Sequence, residues 1–169
     1  MSADGEEDPV PTDLSTVAPA FVDMAHRIVW CTVATVDRNG RPHTRVLHPI
    51  WEWDGEVLTG WIATDPTSPK RAHLDAHPQV ALTYWHPTQD TCSARCAAHW
   101  ELDDEARRAG WDRFATAPSP VGYDPAIIPQ WPAPDVERFG ILRLEPFALR
   151  VVPGTLMTEG GGTVLTWHA

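Results

Sequence analysis

Three runs of β-branched and aromatic residues between positions 29 and 63 are separated only by tight turns, and this spacing restricts the fold more than any other feature. Val29 to Val36 ends in Asp37-Arg38-Asn39-Gly40, Pro42 to Trp53 follows as a second run, and Val57 to Ala63 comes after Asp54-Gly55-Glu56. Connections this short join antiparallel neighbours, because a parallel pair needs a crossover of about a dozen residues or more. A meander is expected here, not a doubly wound sheet.

The pattern resumes at Gln79 to Trp85 and Thr91 to Leu102, and two last strands are expected over Phe139 to Val152 and Thr155 to Trp167, with a bulge or turn at Gly160-Gly161-Gly162. Helices are few. Phe21, Val22, Met24, Ala25 and Ile28 recur at helical spacing over residues 17–28, a short helix suited to cover one barrel opening. Ser68 reads as an N-cap with Pro69 at the first helical position, ahead of a helix that stops at His77-Pro78. Asp103 to Thr116 has helical content and an acidic start.

Six prolines between Pro118 and Pro134 forbid regular structure, so residues 117–135 are expected to form a long ordered loop or lid, packed through Tyr123, Ile127, Ile128 and Trp131. The expected fold class is mainly β with short helices, an antiparallel closed or split β-barrel over residues 17–169. A disordered acidic tail is expected over residues 1–16, because five carboxylates and no Lys or Arg occupy the first thirteen positions.

The formal charge of −10 argues against a nucleic-acid or anionic-membrane surface, which needs a positive footprint. No apolar run is long enough to span a membrane and the first residues do not read as a signal peptide, so a cytoplasmic protein is expected. Cys92 and Cys96 lie about 13 Å apart by strand rise, too far for a disulfide. The same spacing, with His86 and His99, spreads ligands too widely for a zinc cage, and no metal site is expected.

Chemistry concentrates between Gly40 and Tyr84. Arg45 on a strand, Thr64 at a strand end, and Ser68, Lys70 and Arg71 at a helix opening are the hydroxyls and cations that a phosphate group needs. Each alone has an ordinary structural explanation, a surface ion pair or a helix start. Their linkage favours phosphate.

This order of residues resembles the pyridoxamine-phosphate-oxidase-like, flavin-binding split-barrel family, over about Ile28 to Leu102 with a weaker echo from Phe139 to Trp167. The matching stretches are Arg45-Val46-Leu47-His48-Pro49-Ile50, Ala63-Thr64, Ser68-Pro69-Lys70 and His77-Pro78. The resemblance implies that Arg45 and Lys70 neutralise the phosphate of FMN and that Thr64 and Ser68 supply hydroxyl bonds. Backbone groups of Val46, Leu47 and Ala63 would border the flavin ring, Ile50 closes the same motif, and Ser93 falls where the family oxidases carry a Gln.

Pro69 stands where the family has an Arg, with Arg71 the candidate replacement, and the last residues carry no Arg of the kind the vitamin oxidases use. An oxidoreductase acting on a small organic molecule other than a B6 vitamer is therefore expected, as a homodimer with the cofactor at the subunit interface. Catalytic residues are not assigned. Deazaflavin is the alternative cofactor, its tail drawing on Arg71, Arg41 and Arg38. A non-catalytic flavin or haem binder, or sensor, is the alternative of another class.

Overall fold

The computed structural model describes residues 12–169, in which a single twisted sheet curls around one apolar interior. In chain order the elements are α1 (Leu14–Ile28), β1 (Cys31–Val36), β2 (Pro42–Leu47), β3 (Pro49–Trp53), β4 (Leu58–Thr64), α2 (Lys70–Ala76), β5 (Gln79–Trp85), β6 (Thr91–Glu101), α3 (Asp104–Thr116), β7 (Gly140–Val152), α4 (Thr155–Thr158) and β8 (Leu165–His168). The strand order is β2-β1-β5-β6-β7-β4-β3, with β8 also paired to β7 and every pairing antiparallel.

The run expected as one strand from Pro42 to Trp53 is two. β2 pairs with β1 and β3 pairs with β4, so these strands form opposite edges of the sheet while only His48 separates them in the chain. Pro49, which lacks an N–H to continue a ladder, follows that break. The edges thus meet at His48 without pairing, and the barrel is split there.

β7 carries both halves. Its first residues pair with β4 and its last with β8, while its other side runs along β6 from Glu101↔Ile141 to Thr91↔Val152. The register shifts at Arg95/Cys96, where Ala148 and Pro146 are the successive partners and Phe147 is the extra residue. A bulge is where a proline within a strand is tolerated.

Inside, β5 and β6 alternate as their sequences require. Val80, Leu82, Tyr84, Cys92, Ala94, Cys96 and Ala98 face the core. Helix α1 lays Val17, Phe21 and Met24 over this interior, and Phe21 meets Trp51 edge-on at 4.9 Å between ring centroids. Gly60 lies opposite Trp51, where a Cβ would come within 2.7 Å of the indole, so the large ring fits only against glycine. Gly40, at φ 80°, closes the β1–β2 turn, whose Asp37 carboxylate accepts from Asn39 and Arg41 N–H.

Three further expectations change. Residues 1–11 of the expected tail lie outside the described residues, whereas Thr12 donates to the Thr166 carbonyl and α1 starts at Leu14, before residue 17. Ser68 does not cap α2: Pro69 holds the cap position, and the Ser68 hydroxyl donates back to the Asp65 carbonyl at 2.8 Å. The strand expected over Thr155 to Trp167 is the short helix α4, an irregular glycine-rich stretch, and β8 alone. Glycines there lack the side chains a strand face would bury.

The Pro-rich segment packs through Trp131, Tyr123 and Ile128, whereas Ile127, expected to pack with them, is exposed. Val121 and Trp131 are buried in a second cluster with Phe114, Phe139 and Ile141, and Pro125–Ile127 forms a single 3-10 turn.

Candidate functional site

Beside the split, the end of β4, the start of α2, the approach to β1 and the Pro-rich segment enclose a cleft of about 570 Å³. This volume is in the range of small-molecule sites. One end is polar, with Thr64, Asp65 and Lys70; the other is aromatic and aliphatic, with Trp30, His48, Tyr123, Ile127 and Ile128.

Lys70 is only 9 % exposed. Its ammonium donates to the Asp65 carbonyl at 3.1 Å and contacts the Ser68 hydroxyl, both neutral oxygens. The Asp65 carboxylate is engaged with Thr67 and stands 3.8 Å from Arg138. Burial pushes the Lys70 pKa down; the Asp65 charge opposes this and the nearby Arg45 guanidinium adds to it. Among the described residues no carboxylate forms an ion pair with Lys70 or Arg45.

Arg45 is held from the sheet side. Its Nη1 donates to Thr35 Oγ1 at 2.8 Å and to the Val33 carbonyl at 3.2 Å. The Thr35 hydroxyl also meets His73 Nδ1 at 3.0 Å, and the His73 ring lies 4.5 Å from that of His43, the two planes tilted by 38°. Burial, His43 and Arg45 all lower the His73 pKa. The polar end therefore holds two neighbouring cations, Lys70 and Arg45, neither in an ion pair with a carboxylate among the described residues although the Asp65 charge acts on Lys70, an arrangement suited to a phosphate.

Of the residues singled out in the sequence, Val46, Leu47, Ala63, Thr64 and Lys70 line this cleft, and Ser68 and Arg45 adjoin Lys70. Ile50 is turned into the second apolar cluster. Arg71 is drawn off to Asp75, at 3.1 Å, and lies over the Trp100 ring. Ser93 lines a separate hollow of about 250 Å³ with Arg95, Arg150, Thr166 and His168. Thr35, His73, Trp30 and Tyr123 were not among the expected site residues. Helical spacing of three from Lys70 was the available signal for His73; the others are brought in by tertiary packing.

All three cysteines are buried and free, and burial pushes the Cys31 thiol up to about 12. No cluster of three metal-ligating side chains occurs among the described residues. No helix there is long and apolar enough to cross a membrane.

Fold and cleft define an antiparallel split-barrel protein with a cation-ended cavity at the split. Residues 17–138 match the pyridoxamine 5'-phosphate oxidase family model, and the chain belongs to that family. No curated protein matches the sequence. Among solved structures it is similar to a Clostridium acetobutylicum protein related to general stress protein 26 of B. subtilis, of the pyridoxinephosphate oxidase family (12% identity, TM-score 0.67, covering 93% of this chain and 96% of that one). It is also similar to a pyridoxamine 5'-phosphate oxidase-related, FMN binding protein from Nostoc punctiforme (19%, 0.65, 92% and 91%). A nimC/nimA family protein from C. acetobutylicum shares the fold too (10%, 0.63, 89% and 93%).

Proposed function

We propose that the cleft binds FMN and that the protein is a cytoplasmic, homodimeric flavin-dependent oxidoreductase acting on a small organic molecule. The observation that carries this reading is Lys70, a buried cation held by neutral oxygens beside a second cation, Arg45. A phosphate supplies the direct ion-pair partner that neither cation has among the described residues. The Nostoc relative, described as FMN binding, adds support from the same fold.

In this reading Lys70 and Arg45 neutralise the phosphate and Thr64 donates a hydroxyl bond, while Ser68 would join it by turning its hydroxyl proton from the Asp65 carbonyl to the phosphate. Leu47 and Ala63 present an apolar wall to the ring, and the Pro-rich segment excludes water from it. Bound FMN would supply the hydride chemistry, and the protein supplies position and electrostatics. The second subunit would complete the site from its Ser93 side. With Arg71 committed to Asp75, the cations suit a compact phosphate better than the extended tail of deazaflavin.

Titration with FMN, deazaflavin and haem, followed by absorption and flavin fluorescence, tests the reading; FMN is expected to bind most tightly. Charge-assisted hydrogen bonds contribute about 1.5–3 kcal/mol each, so Lys70→Ala with Arg45→Ala should weaken FMN by on the order of a hundredfold or more. Unchanged affinity in the double variant refutes the site. Tight FMN binding without reductase activity toward any quinone or nitroaromatic would leave a flavin store or sensor instead.

A further inference from the structure

A line of side chains runs from the β1–β2 turn to Arg45. The Asp37 carboxylate meets His43 Nε2 at 3.2 Å, the His43 ring lies against that of His73, and His73 Nδ1 meets Thr35 Oγ1, which accepts from Arg45 Nη1. Thr35 is 2 % exposed, so water does not compete for its bonds. Arginine is a donor only, so the Thr35 oxygen accepts from it, and the buried hydroxyl proton needs an acceptor of its own. His73 Nδ1 is the acceptor it meets, which puts the ring proton on Nε2 and leaves the imidazole neutral in the ligand-free protein.

The groups facing this ring are mostly positive. From β2 come His43 and Arg45, from the turn Asp37, and on its own helix Lys70 precedes it by one turn while Arg71 and Asp75 pair with each other. Partial burial, His43 and Arg45 all disfavour a charge on His73, and the Asp37 carboxylate alone favours one. That carboxylate stays ionised wherever a histidine titrates, since its pKa is held to about 2, chiefly by the Arg41 N–H.

A dianion at Arg45 and Lys70 reverses this balance, because an opposite charge nearby favours the protonated ring. Thr35 Oγ1 has two lone pairs and can accept from His73 Nδ1–H and from Arg45 together. Arg45 then stays held while the site gains a third positive charge.

We propose that His73 is the positioning residue behind Arg45 and a proton-linked partner of the bound oxyanion: neutral in the empty site, it takes a proton from solvent onto Nδ1 when a dianion joins Arg45 and Lys70. The proposal rests on the phosphate end of the flavin reading and not on the flavin ring. Oxyanion affinity and His73 protonation are then one reciprocal coupling.

The test uses sulfate, a dianion that does not itself titrate between pH 5 and 8, added to the full chain against chloride at matched ionic strength. Nitrogen-15 NMR follows the His73 ring, and backbone amides of α2 report sulfate affinity. The His73 midpoint, below its ordinary 6.5 in the ligand-free chain, should rise by about one pH unit at saturating sulfate. Sulfate should bind about tenfold more tightly at pH 5.5 than at pH 7.5. His73→Gln keeps an acceptor for Thr35 and cannot take up a proton; it should match the unaltered chain within about threefold at pH 7.5 and gain no more than about twofold at pH 5.5.

A His73 midpoint unmoved by sulfate, a pH-independent sulfate affinity, a full pH response in His73→Gln, or no sulfate binding at about 0.1 M each overturns the proposal. Repeating the NMR titration with FMN separates it from the flavin reading. FMN that binds without moving the His73 midpoint sinks the proposal and leaves the flavin; a sulfate response without FMN binding does the reverse.

Discussion

The barrel interior and the cleft at the split both collect aromatic rings, yet the polar groups at their centres are treated in opposite ways, although Trp100 Nε1 at the margin of the interior is also without a partner among the described residues. Inside, the Trp51 indole N–H donates to the Tyr84 hydroxyl at 2.8 Å, and the Trp51 backbone N–H donates to His26 Nε2 at 2.9 Å. In the cleft, among the described residues, Lys70 has no ion-paired carboxylate and His48 Nε2 has no partner. A completed polar network fixes a structure; an incomplete one stores the capacity to bind.

The contrast breaks most visibly under truncation of the rings. Phe21→Ala removes the centre of the interior cluster and should cost about 3–5 kcal/mol in chemical denaturation, with the transition still cooperative. Trp131→Ala, in the loop-built cluster, should cost about 2 kcal/mol, because a loop relaxes more readily than a barrel wall. Hydrogen exchange should then speed up in residues 117–135 and little elsewhere. Equal, global losses from both variants would show that the two clusters form one cooperative unit.

Protonation gives the next, smaller difference. The folded pKa of Lys70 is depressed below its ordinary 10.5, chiefly by burial. In the ligand-free protein the cost of burying the charge is present in full below that folded pKa. As pH rises from there toward 10.5 the folded state loses its proton before the unfolded one, and relative stability increases. FMN binding runs the other way: affinity should fall about tenfold per pH unit above the folded pKa, at pH values where an ordinary lysine stays charged. Lys70→Arg should hold a flat profile over the same range, since arginine does not deprotonate. Fluorescence titrations of FMN at stepped pH read both.

Smallest is the effect expected next door. Arg71 follows Lys70 in α2 but pairs with Asp75 on an exposed face. Arg71→Ala should change stability by less than about 0.5 kcal/mol and FMN affinity by less than about threefold. A loss matching that of Lys70→Ala would move the phosphate end one residue along the helix.

Much of the barrel is readable where one face is buried. The alternation in β5 and β6 marks both strands, and the acidic start of α3 marks its cap, where Asp103 accepts from the Ala106 N–H. The break at His48 is not readable, because β2 and β3 continue one run of strand-forming residues and only the pairing partners differ. Ser68 shows the limit of local rules: it has the residue type of a cap, yet its hydroxyl is taken by the Asp65 carbonyl and the Lys70 ammonium. At the cation end of the cleft Thr64, Ser68 and Lys70 stand out because they cluster around the end of β4 and the start of α2, and the earlier strand residue Arg45 is brought beside Lys70 by the sheet. The aromatic end does not stand out, since Trp30, His48 and Tyr123 come from distant segments and a proline-rich stretch has no period to read.

The position of β7 has a consequence for how the chain reaches this structure. Strands β1, β2, β5 and β6 form one ribbon and β3 with β4 another, and β7 is the strand that joins them. Until Gly140 to Val152 has been synthesised, each ribbon presents an unpaired edge, at β6 and at β4, to solvent and to other chains. Such edges are where aggregation starts. The nascent protein is therefore exposed to misassembly until β7 emerges, and that one strand removes both edges at once.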